Sequence, residues 1–439
     1  MADHAKSDDP AVQKQLDRLT MLSPGRDVLG LERISELMSR LGNPHRDLPP
    51  VFHVAGTNGK GSTCAFLRAS LEAAGKTVHV YTSPHLIRFN ERIRVAGQLI
   101  GDVKLAPLLS EVLDCSTDIA PSFFEATTAA AFLAFARTPA DAAIIEVGLG
   151  GRLDATNVIP DPIVCGIAQL GIDHQAFLGD DVVTIAGEKA GIAKPGVPLV
   201  TMKYPAAETE RITRVASAAG APYYPKGSDW DAISYNGQLH YRDESGKLSV
   251  PLPRLAGEHQ AQNAALAIAM LRHQSTIGVP EAAIRAAMGW ADWPARLQQL
   301  SDGPLTHILP RMTVWIDGCH NPASAEAVAG QIDAILGKDE PLHIVTGVLA
   351  NKDAEGILAP FINRATSFRT VPIPGHPHHP PADLSAWLRR QSVTAEPATD
   401  VASALRSLAK SDVESGAVLI LGSLYLAGEV LRENGEEIA

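Results

Sequence analysis

A glycine-rich turn at residues 56–62, Gly-Thr-Asn-Gly-Lys-Gly-Ser, contains the residue types that bind a phosphate chain. Glycines let backbone N–H groups turn towards an anion, a following helix presents its positive dipole end, and Lys60 can reach the terminal phosphates. The turn lies between an apolar run at residues 51–55 and a helical pattern that ends at Gly75. This context favours a phosphate site over an ordinary strand-to-helix turn with an incidental lysine.

The turn departs from the common P-loop pattern at two positions. That pattern has a glycine five positions ahead of the glycine of the Gly-Lys pair, with four residues between them, and a hydroxyl residue directly after the lysine that ligates magnesium. Here the two positions hold Val54 and Gly61. A magnesium ligand must therefore come from Ser62 or from another segment, unless phosphate oxygens and water alone hold the metal.

Two further strand ends carry charged side chains. The apolar run at residues 142–147 contains Glu146, and a charge in such a run requires a partner. The run at residues 163–168 leads to Asp173 and His174. Ligands of open α/β sheets bind at the carboxyl ends of strands, so these side chains favour a divalent-ion site over separate loop roles. The glycines after Glu146 lack the spacing of a dinucleotide fingerprint.

Apolar, β-branched runs alternate with helical patterns along the chain, which is typical of strands buried on both faces of a parallel sheet. The predicted strands are residues 51–55, 77–81, 142–147, 163–168, 197–202, 313–316, 343–348, 368–373 and 418–421. The predicted helices include residues 31–41, 261–271, 323–336 and 400–408. An alternating pattern with turns at Asn236-Gly237 and Ser245-Gly246 predicts a small antiparallel insertion.

The predicted fold class is α/β with two domains. Residues 1–296 are expected to form a P-loop ATPase-like domain with a central, mostly parallel sheet and the antiparallel insertion. Residues 297–439 are expected to form a smaller Rossmann-like α/β domain. The length of 439 residues is sufficient for two such cores.

Composition limits the classes of partner. The net charge is −11 and no dense block of Lys and Arg occurs, which argues against nucleic acid. The sequence shows no signal-peptide core and no stretch near the ~20 apolar residues of a membrane span. We expect a cytoplasmic monomer with reduced cysteines that acts on small molecules. The histidine-rich stretch at residues 376–381 can bind metal, but its prolines favour an exposed loop.

Nine motifs in a fixed order resemble those of the folylpolyglutamate synthase and dihydrofolate synthase family, within the Mur-ligase superfamily. They are G-T-N-G-K-G-S at 56–62, T-S-P-H-L at 82–86, F-N-E-R-I at 89–93, E-V-G-L-G-G-R-L-D-A-T-N at 146–157, D-H at 173–174, E-K-A-G-I at 188–192, G-x-H-Q-x-x-N-A at 257–264, W-P-A-R at 293–296 and D-G-x-H-N-P at 317–322. The resemblance extends from about residue 28 to about residue 430.

This resemblance implies an ATP-dependent amide ligase that uses Mg²⁺. A substrate carboxylate takes the γ-phosphoryl group of ATP to form an acyl phosphate, and the amine of L-glutamate then displaces phosphate. The expected acceptors are dihydropteroate and reduced folates; the alternatives are a folylpolyglutamate synthase without the first activity, or a P-loop switch that hydrolyses nucleotide. Cations at Lys60, magnesium and Arg296 would offset the repulsion between the reacting anions.

The resemblance also implies roles for individual residues. The implied metal ligands are Ser83, Glu146, His174 and Lys189. The implied nucleotide contacts are Gly59, Lys60, Gly61, Ser62, Asn263, Arg296 and Asp317. The implied pterin contacts are Ser122, Phe123, Phe124, Glu125, Leu153, Asp154 and Ala155. The catalytic candidates are Lys60, Glu146, His174, Lys189 and His320, and both His320 and Ser423 are candidates for contacts to glutamate or the acyl phosphate.

Lys189 matches a lysine that is carbamylated in the superfamily. A carbamate would be an anionic oxygen ligand, whereas an ammonium would repel the metal. The alternative is a lysine that is only paired with Glu188 or Glu146. Cys319 stands where the family commonly has alanine, which is a small-for-small change.

Overall fold

The computed structural model describes residues 5–22, 28–410 and 415–438. This described part of the chain divides into two compact units. The first comprises Met1–Arg254 and His259–Asp292, and the second comprises Leu255–Glu258 and Trp293–Ala439. Among the described helices, none combines the length and the hydrophobicity that a bilayer crossing requires.

The described residues of the first unit form an eight-stranded sheet in the order β4-β3-β2-β5-β1-β6-β7-β8. Its strands are β1 (Val51–Ala55), β2 (Val78–Tyr81), β3 (Ile93–Val95), β4 (Gln98–Leu99), β5 (Ala142–Glu146), β6 (Val164–Ile167), β7 (Leu199–Thr201) and β8 (Tyr223–Pro225). The six strands from β2 to β8 in this order are parallel, and β3 and β4 add an antiparallel edge. Every residue of β1, β2, β5 and β6 is buried, which explains why these strands are mostly apolar and do not alternate with exposed polar residues; their polar residues, His53, His79 and Glu146, are buried as well.

Helices cover this sheet. They are α1 (Pro10–Met21), α2 (Glu32–Arg40), α3 (Lys60–Ala73), α4 (Asp102–Asp114), α5 (Phe123–Ala136), α6 (Gln175–Leu178), α7 (Val182–Ala190), α8 (Ala206–Ala219), α9 (Glu258–Arg272) and α10 (Glu281–Trp290). The predicted helix at 31–41 is confirmed as α2, whereas α1 is not predicted from the sequence. Its signals are nevertheless present, because Asp9 caps the helix, Pro10 starts it, and Val12, Leu16 and Leu19 are buried at helical spacing.

The predicted antiparallel insertion is confirmed as a three-stranded sheet. Its strands are β9 (Trp230–Tyr235), β10 (Gln238–Asp243) and β11 (Gly246–Pro251). Asn236 and Gly237 both have positive φ, 48° and 71°, as a type I′ hairpin turn requires. The second turn consists of residues 244–245, because Asp243 pairs with Gly246, so its predicted position at Ser245-Gly246 is one residue late.

The described residues of the second unit form a six-stranded sheet in the order β12-β13-β17-β14-β15-β16. Its strands are β12 (Gln298–Gln299), β13 (Met312–Ile316), β14 (Leu342–Thr346), β15 (Ser367–Thr370), β16 (Ala395–Pro397) and β17 (Gly416–Leu421). Its helices are α11 (Pro322–Leu336), α12 (Ala354–Leu358), α13 (Pro381–Arg390), α14 (Val401–Lys410) and α15 (Leu424–Asn434). Only β12 is antiparallel to its neighbour. The α/β fold class is thus confirmed in both units.

Candidate active site

The glycines of the phosphate turn are required by its backbone and by its close neighbours. Gly59 has a φ of +85° and precedes α3, and a Cβ there would lie 2.3 Å from Asn263 Oδ1. Gly56 has a φ of +147°, and a Cβ there would lie 2.8 Å from the Ala168 Cβ. Both conformations are unfavourable for L-residues. The predicted nucleotide residue Asn263, on α9, therefore packs directly against the phosphate turn.

The turn is also tied to the segment after β6. The N–H groups of Thr57 and Asn58 donate to the Gln169 carbonyl at 2.8 and 3.1 Å. Lys60 is the first residue of α3 and its Nζ donates to the Thr57 carbonyl at 3.3 Å. The lysine thus folds back over its own turn, where an anion held by the helix N-terminus would attract it. Of the other predicted phosphate contacts, Gly61 and Ser62 are buried in the first turn of α3.

Ser83 and Glu146 come together at the ends of neighbouring strands. β2 pairs in parallel with β5, with Tyr81 opposite Ile145. The Ser83 N–H donates to Glu146 Oε2 at 3.2 Å, and Glu146 is 4% exposed. A buried carboxylate is thus placed beside a serine, as the predicted metal site requires.

The predicted ligand His174 is exposed and precedes α6 with a left-handed φ of 53°. Its N–H donates to the carboxylate of the buried Asp173 at 2.7 Å. Within residues 5–22, 28–410 and 415–438, no three His, Cys, Asp or Glu side chains form a group that could hold a metal ion. The predicted set contains only two residues of these types, Glu146 and His174, so the set stays a prediction.

Lys189, on α7, is 4% exposed, and its Nζ donates to the Gly56 carbonyl at 2.9 Å. Burial, reinforced by the nearby Lys60 charge, lowers the pKa of Lys189 from 10.5 to about 7, although Asp173 and Asp154 partly oppose the change. Glu188, one of the alternative partners, contacts Arg152 at 3.0 Å, whereas the Lys189 amine donates to the Gly56 carbonyl. The site therefore holds a buried lysine whose neutral amine is populated near neutral pH.

The adjacent phenylalanines of the predicted pterin segment have different environments. Phe123 is 4% exposed and lies in the core, with its ring edge-on to Phe89 at 6.2 Å. Phe124 is only partly buried, and its ring lies so close to Gly148 that a Cβ there would be 2.3 Å from it. Phe124 is thus the aromatic that covers the start of the glycine run, whereas Phe123 packs the core.

Of the two carboxylate oxygens of Glu125, one accepts hydrogen bonds and the other accepts none from the described residues. Ser122 and Glu125 form the capping box of α5, and Glu125 Oε2 accepts hydrogen bonds from Ser122 N at 2.6 Å and Arg33 Nε at 3.0 Å. Its Oε1 is buried and has no hydrogen-bond partner among the described residues. A buried acceptor without a donor is costly, so it is suited to a ligand N–H. Nothing in the sequence singles out Arg33, because the contact joins residues 92 positions apart.

Asp154 organises the other predicted pterin segment. Its carboxylate accepts hydrogen bonds from Leu149 N at 2.8 Å and from Thr156 N at 3.0 Å, and it caps the short 3₁₀ helix Ala155–Val158. Burial raises the pKa of Asp154. Leu153 is partly buried and Ala155 is buried. These contacts give Asp154 a role in shaping the loop.

In the second unit, Asp317 is 3% exposed and binds the backbone with both oxygens. Oδ2 accepts from Leu297 N and Oδ1 from Cys319 N, each at 2.8 Å. His320 Nδ1 lies 3.0 Å from the Gly318 carbonyl, and Ser423 caps α15. The structure therefore gives Asp317 a structural role, and its contact with nucleotide stays a prediction.

Residues 376–380 of the histidine-rich stretch form a loop and Pro381 begins α13, but the three histidines are partly buried rather than exposed. The loop is bonded to residues 348–352. Ala350 N donates to the Pro377 carbonyl at 3.0 Å, and His379 N donates to the Val348 carbonyl at 2.9 Å. A ring nitrogen of His378 and one of His379 each contact a backbone carbonyl. Each of these two histidines therefore has one ring nitrogen beside a backbone carbonyl.

Comparison with known proteins gives consistent results along the chain. Residues 306–433 match the family model for the C-terminal domain of dihydrofolate synthetase. The chain is 34% identical over 424 residues to the dihydrofolate synthase/folylpolyglutamate synthase of Bacillus subtilis, covering 91% of this chain and 94% of that protein.

Solved structures agree with these matches. Escherichia coli FolC in complex with DHPP and ADP has a TM-score of 0.86 and 34% identity, and the alignment covers 97% of each chain. A bifunctional folylpolyglutamate synthase/dihydrofolate synthase with Mn, AMPPNP and L-glutamate bound has a TM-score of 0.84 and 32% identity, with 96% of this chain and 97% of that chain covered. The phosphate turn, the paired strand ends and these similarities lead to one conclusion: the chain belongs to the dihydrofolate synthase/folylpolyglutamate synthase family.

Proposed function

We propose that this protein is an ATP-dependent ligase that adds L-glutamate first to dihydropteroate and then to reduced folates, through an acyl-phosphate intermediate. One observation carries the proposal: a phosphate turn whose Gly56 and Gly59 have no space for a Cβ packs against Asn263, and the buried Lys189, of lowered pKa, donates to the carbonyl of Gly56. The relatives support the substrates, since one was solved with DHPP and ADP and another with AMPPNP and L-glutamate.

Two cationic side chains, Lys60 and Arg296, would assist phosphoryl transfer. Lys60 would leave the Thr57 carbonyl and bind the terminal phosphates, while α3 directs its first N–H groups at them. Arg296 would provide a second, planar donor group for the transferred phosphoryl group. Both charges would offset the repulsion between ATP and the substrate carboxylate, whose attack forms the acyl phosphate.

The donor atoms near Ser83 fit a magnesium ion. Glu146 offers a buried carboxylate and Ser83 a hydroxyl at the same strand ends, and oxygen donors are those that Mg²⁺ prefers. His174 and Lys189 complete the proposed ligand set. When bound, the metal would neutralise charge on the phosphate oxygens. The relative with Mn bound supports a divalent ion in this family.

We infer that Lys189 carries a carbamate in the active protein. Its neutral amine would attack carbon dioxide, form an N–C bond and release one proton, which leaves an anionic carboxylate on the nitrogen. The lowered pKa supplies the neutral amine. The carbamate would replace the repulsion between an ammonium and the metal by ligation.

The pterin would bind between the start of α5 and the glycine run. Phe124 offers a partly exposed ring for stacking, and Glu125 Oε1 offers an acceptor for a ring N–H. Leu153 and Ala155 would contribute contacts from the loop that Asp154 holds. His320 and Ser423 are proposed to contact glutamate or the acyl phosphate.

Glutamate incorporation tests the proposal. The purified protein is given ATP, magnesium and L-glutamate with either dihydropteroate or tetrahydrofolate, and Lys60→Ala is the matched control. Addition to both acceptors is expected from the wild type, with at least a hundredfold loss in the variant. Addition to tetrahydrofolate alone would reduce the function to a folylpolyglutamate synthase, and phosphate release without any glutamate addition would indicate a nucleotide-hydrolysing switch instead.

We further propose domain limits of residues 1–296 for the ATP-binding domain and 297–439 for the second domain. A cytoplasmic monomer remains our expectation, and gel filtration of the purified protein tests its oligomeric state.

A further inference from the structure

The turn that carries Arg296 has an unfavourable backbone conformation. Ala295 and Leu297, on either side of it, have φ angles of 55° and 42°, and neither is glycine. A residue with a Cβ rarely adopts this left-handed region because the Cβ approaches the following carbonyl oxygen. Two such residues around one arginine persist only where the surroundings hold them, and such conformations cluster at functional sites.

Two side chains hold this turn through its backbone. Gln298 Oε1 accepts a hydrogen bond from Ala295 N at 2.9 Å, and Asp317 Oδ2 accepts one from Leu297 N at 2.8 Å. Ala295 and Leu297 are buried, so their N–H groups require these acceptors. Both acceptors belong to residues held by the sheet, because Gln298 in β12 pairs with Ile316 in β13, and Asp317 comes directly after Ile316.

The same turn sets the direction of the guanidinium group. The Ala295 carbonyl accepts hydrogen bonds from Gly318 N at 2.9 Å and from Arg296 Nη1 at 2.8 Å. A Cβ on Gly318 would lie 2.9 Å from that Nη1, so the guanidinium passes over a residue without a side chain. Arg296 itself remains partly exposed while both neighbours are buried.

We propose that Gln298 is a positioning residue for Arg296: its side-chain carbonyl holds the left-handed turn that fixes the direction of the guanidinium group. This inference rests on the proposed ligase function. A preorganised donor stabilises developing charge without reorganisation, and a displacement of about 1 Å is enough to lower turnover by about a hundredfold. Gln298 therefore affects turnover without contacting a substrate.

A pair of substitutions separates the hydrogen bond from the size of the side chain. Gln298→Met removes the acceptor and retains most of the length, whereas Gln298→Glu retains an acceptor oxygen. We expect kcat to fall at least tenfold in Gln298→Met with a KM for dihydropteroate within twofold of wild type. Gln298→Glu should keep at least half of kcat. The matched control is Gln299→Met, on the exposed neighbour in the same strand, which should leave kcat and KM unchanged.

A double-mutant cycle shows whether Gln298 acts through Arg296. In an Arg296→Lys background, Gln298→Met should change kcat less than twofold, because the group that it positions is already altered. A tenfold loss in both backgrounds would overturn the inference, as would wild-type kcat in Gln298→Met. If Gln298→Met fails to fold, Ala295→Gly serves instead. This substitution removes the Cβ that makes the positive φ unfavourable, so the melting temperature should be kept or raised. It also loosens the turn, so kcat should fall.

The two proposals fail differently. A wild-type protein that adds no glutamate to either acceptor would overturn the ligase function, and with it the role of Gln298. A wild-type protein that does add glutamate, together with a Gln298→Met variant of equal kcat, would overturn only the positioning role.

Discussion

Lys189 should react with carbon dioxide far more readily than an ordinary lysine. Only the neutral amine is a nucleophile, and burial beside Lys60 lowers its pKa to about 7. At pH 7.5 about three quarters of such amines are neutral, compared with about one in a thousand for a lysine with a pKa near 10.4. The reactive fraction is therefore larger by several hundredfold.

Labelled bicarbonate measures this reaction. The protein is prepared in buffer depleted of carbon dioxide at pH 7.5, and ¹³C-bicarbonate is then added while ¹³C NMR spectra and ligase turnover are recorded. We expect a carbamate signal in the wild type and its loss in Lys189→Met. Lys194→Met is the matched control, because Lys194 is partly buried and its Nζ, like that of the fully buried Lys189, donates to a backbone carbonyl, that of Asn157.

Turnover should fall in the depleted buffer and return with bicarbonate. Identical spectra for the wild type and Lys189→Met, together with turnover that does not depend on bicarbonate, would refute the reasoning. Retained activity in Lys189→Ala would equally exclude a carbamate as a metal ligand.

The lowered pKa of Lys189 also makes the free energy of unfolding depend on pH. The native pKa lies below the unfolded one, so between about pH 7 and 10.5 the unfolded chain binds more protons and stability rises with pH. Below pH 7 the protonated buried amine costs about 5 kcal/mol. Lys189→Met removes that cost but loses about 1 kcal/mol for the hydrogen bond to Gly56. Urea unfolding without carbon dioxide should thus show the variant more stable at pH 6 by about 4 kcal/mol, with little difference near pH 10; a difference independent of pH would contradict this.

Two further substitutions test the phosphate turn and the pterin segment. Gly59→Ala should weaken ATP binding at least tenfold and lower the free energy of unfolding by about 1–3 kcal/mol, because the new Cβ would meet Asn263. The control is Gly75→Ala, which has a similar φ of +76° but open space around it, and it should keep the ATP affinity of the wild type. Calorimetry measures the ATP affinity of both variants. Glu125→Gln should raise the KM for dihydropteroate about tenfold and leave the KM for ATP unchanged, because it removes a charged acceptor and its ion pair with Arg33. Equal rises in both KM values would instead indicate a general disruption of the structure.

The sequence predicts most of the sheets because their signals are local. Strands such as β1 and β5 are buried along their whole length, so they read as mostly apolar runs, and a glycine follows each run. Short edge strands are not predictable in this way, because β4 and β12 have only two residues each. Their conformation depends on the neighbouring strand rather than on their own residues.

The site is predictable where a motif fixes the backbone and less so where side chains meet across the fold. The phosphate turn follows from its glycines, whereas the contact of Arg33 with Glu125 depends on how α2 and α5 pack. The two phenylalanines at the start of α5 are similar in sequence. Successive helical residues point about 100° apart, so one ring enters the core and the other faces the glycine run.

The phosphate turn contributes to the lowered pKa of Lys189. Gly56 gives its carbonyl to Lys189 Nζ, and the Lys60 charge adds to the burial that keeps this amine neutral. A phosphate group bound at the turn would neutralise Lys60 and so weaken that second effect, which would raise the pKa of a free Lys189 amine. The amine is thus most reactive before nucleotide binds, whereas a carbamate, once formed, is an anion that Lys60 and a metal ion both stabilise. An anionic Lys189, together with Glu146, would then supply oxygen ligands in place of the hydroxyl that follows the lysine in the common P-loop pattern.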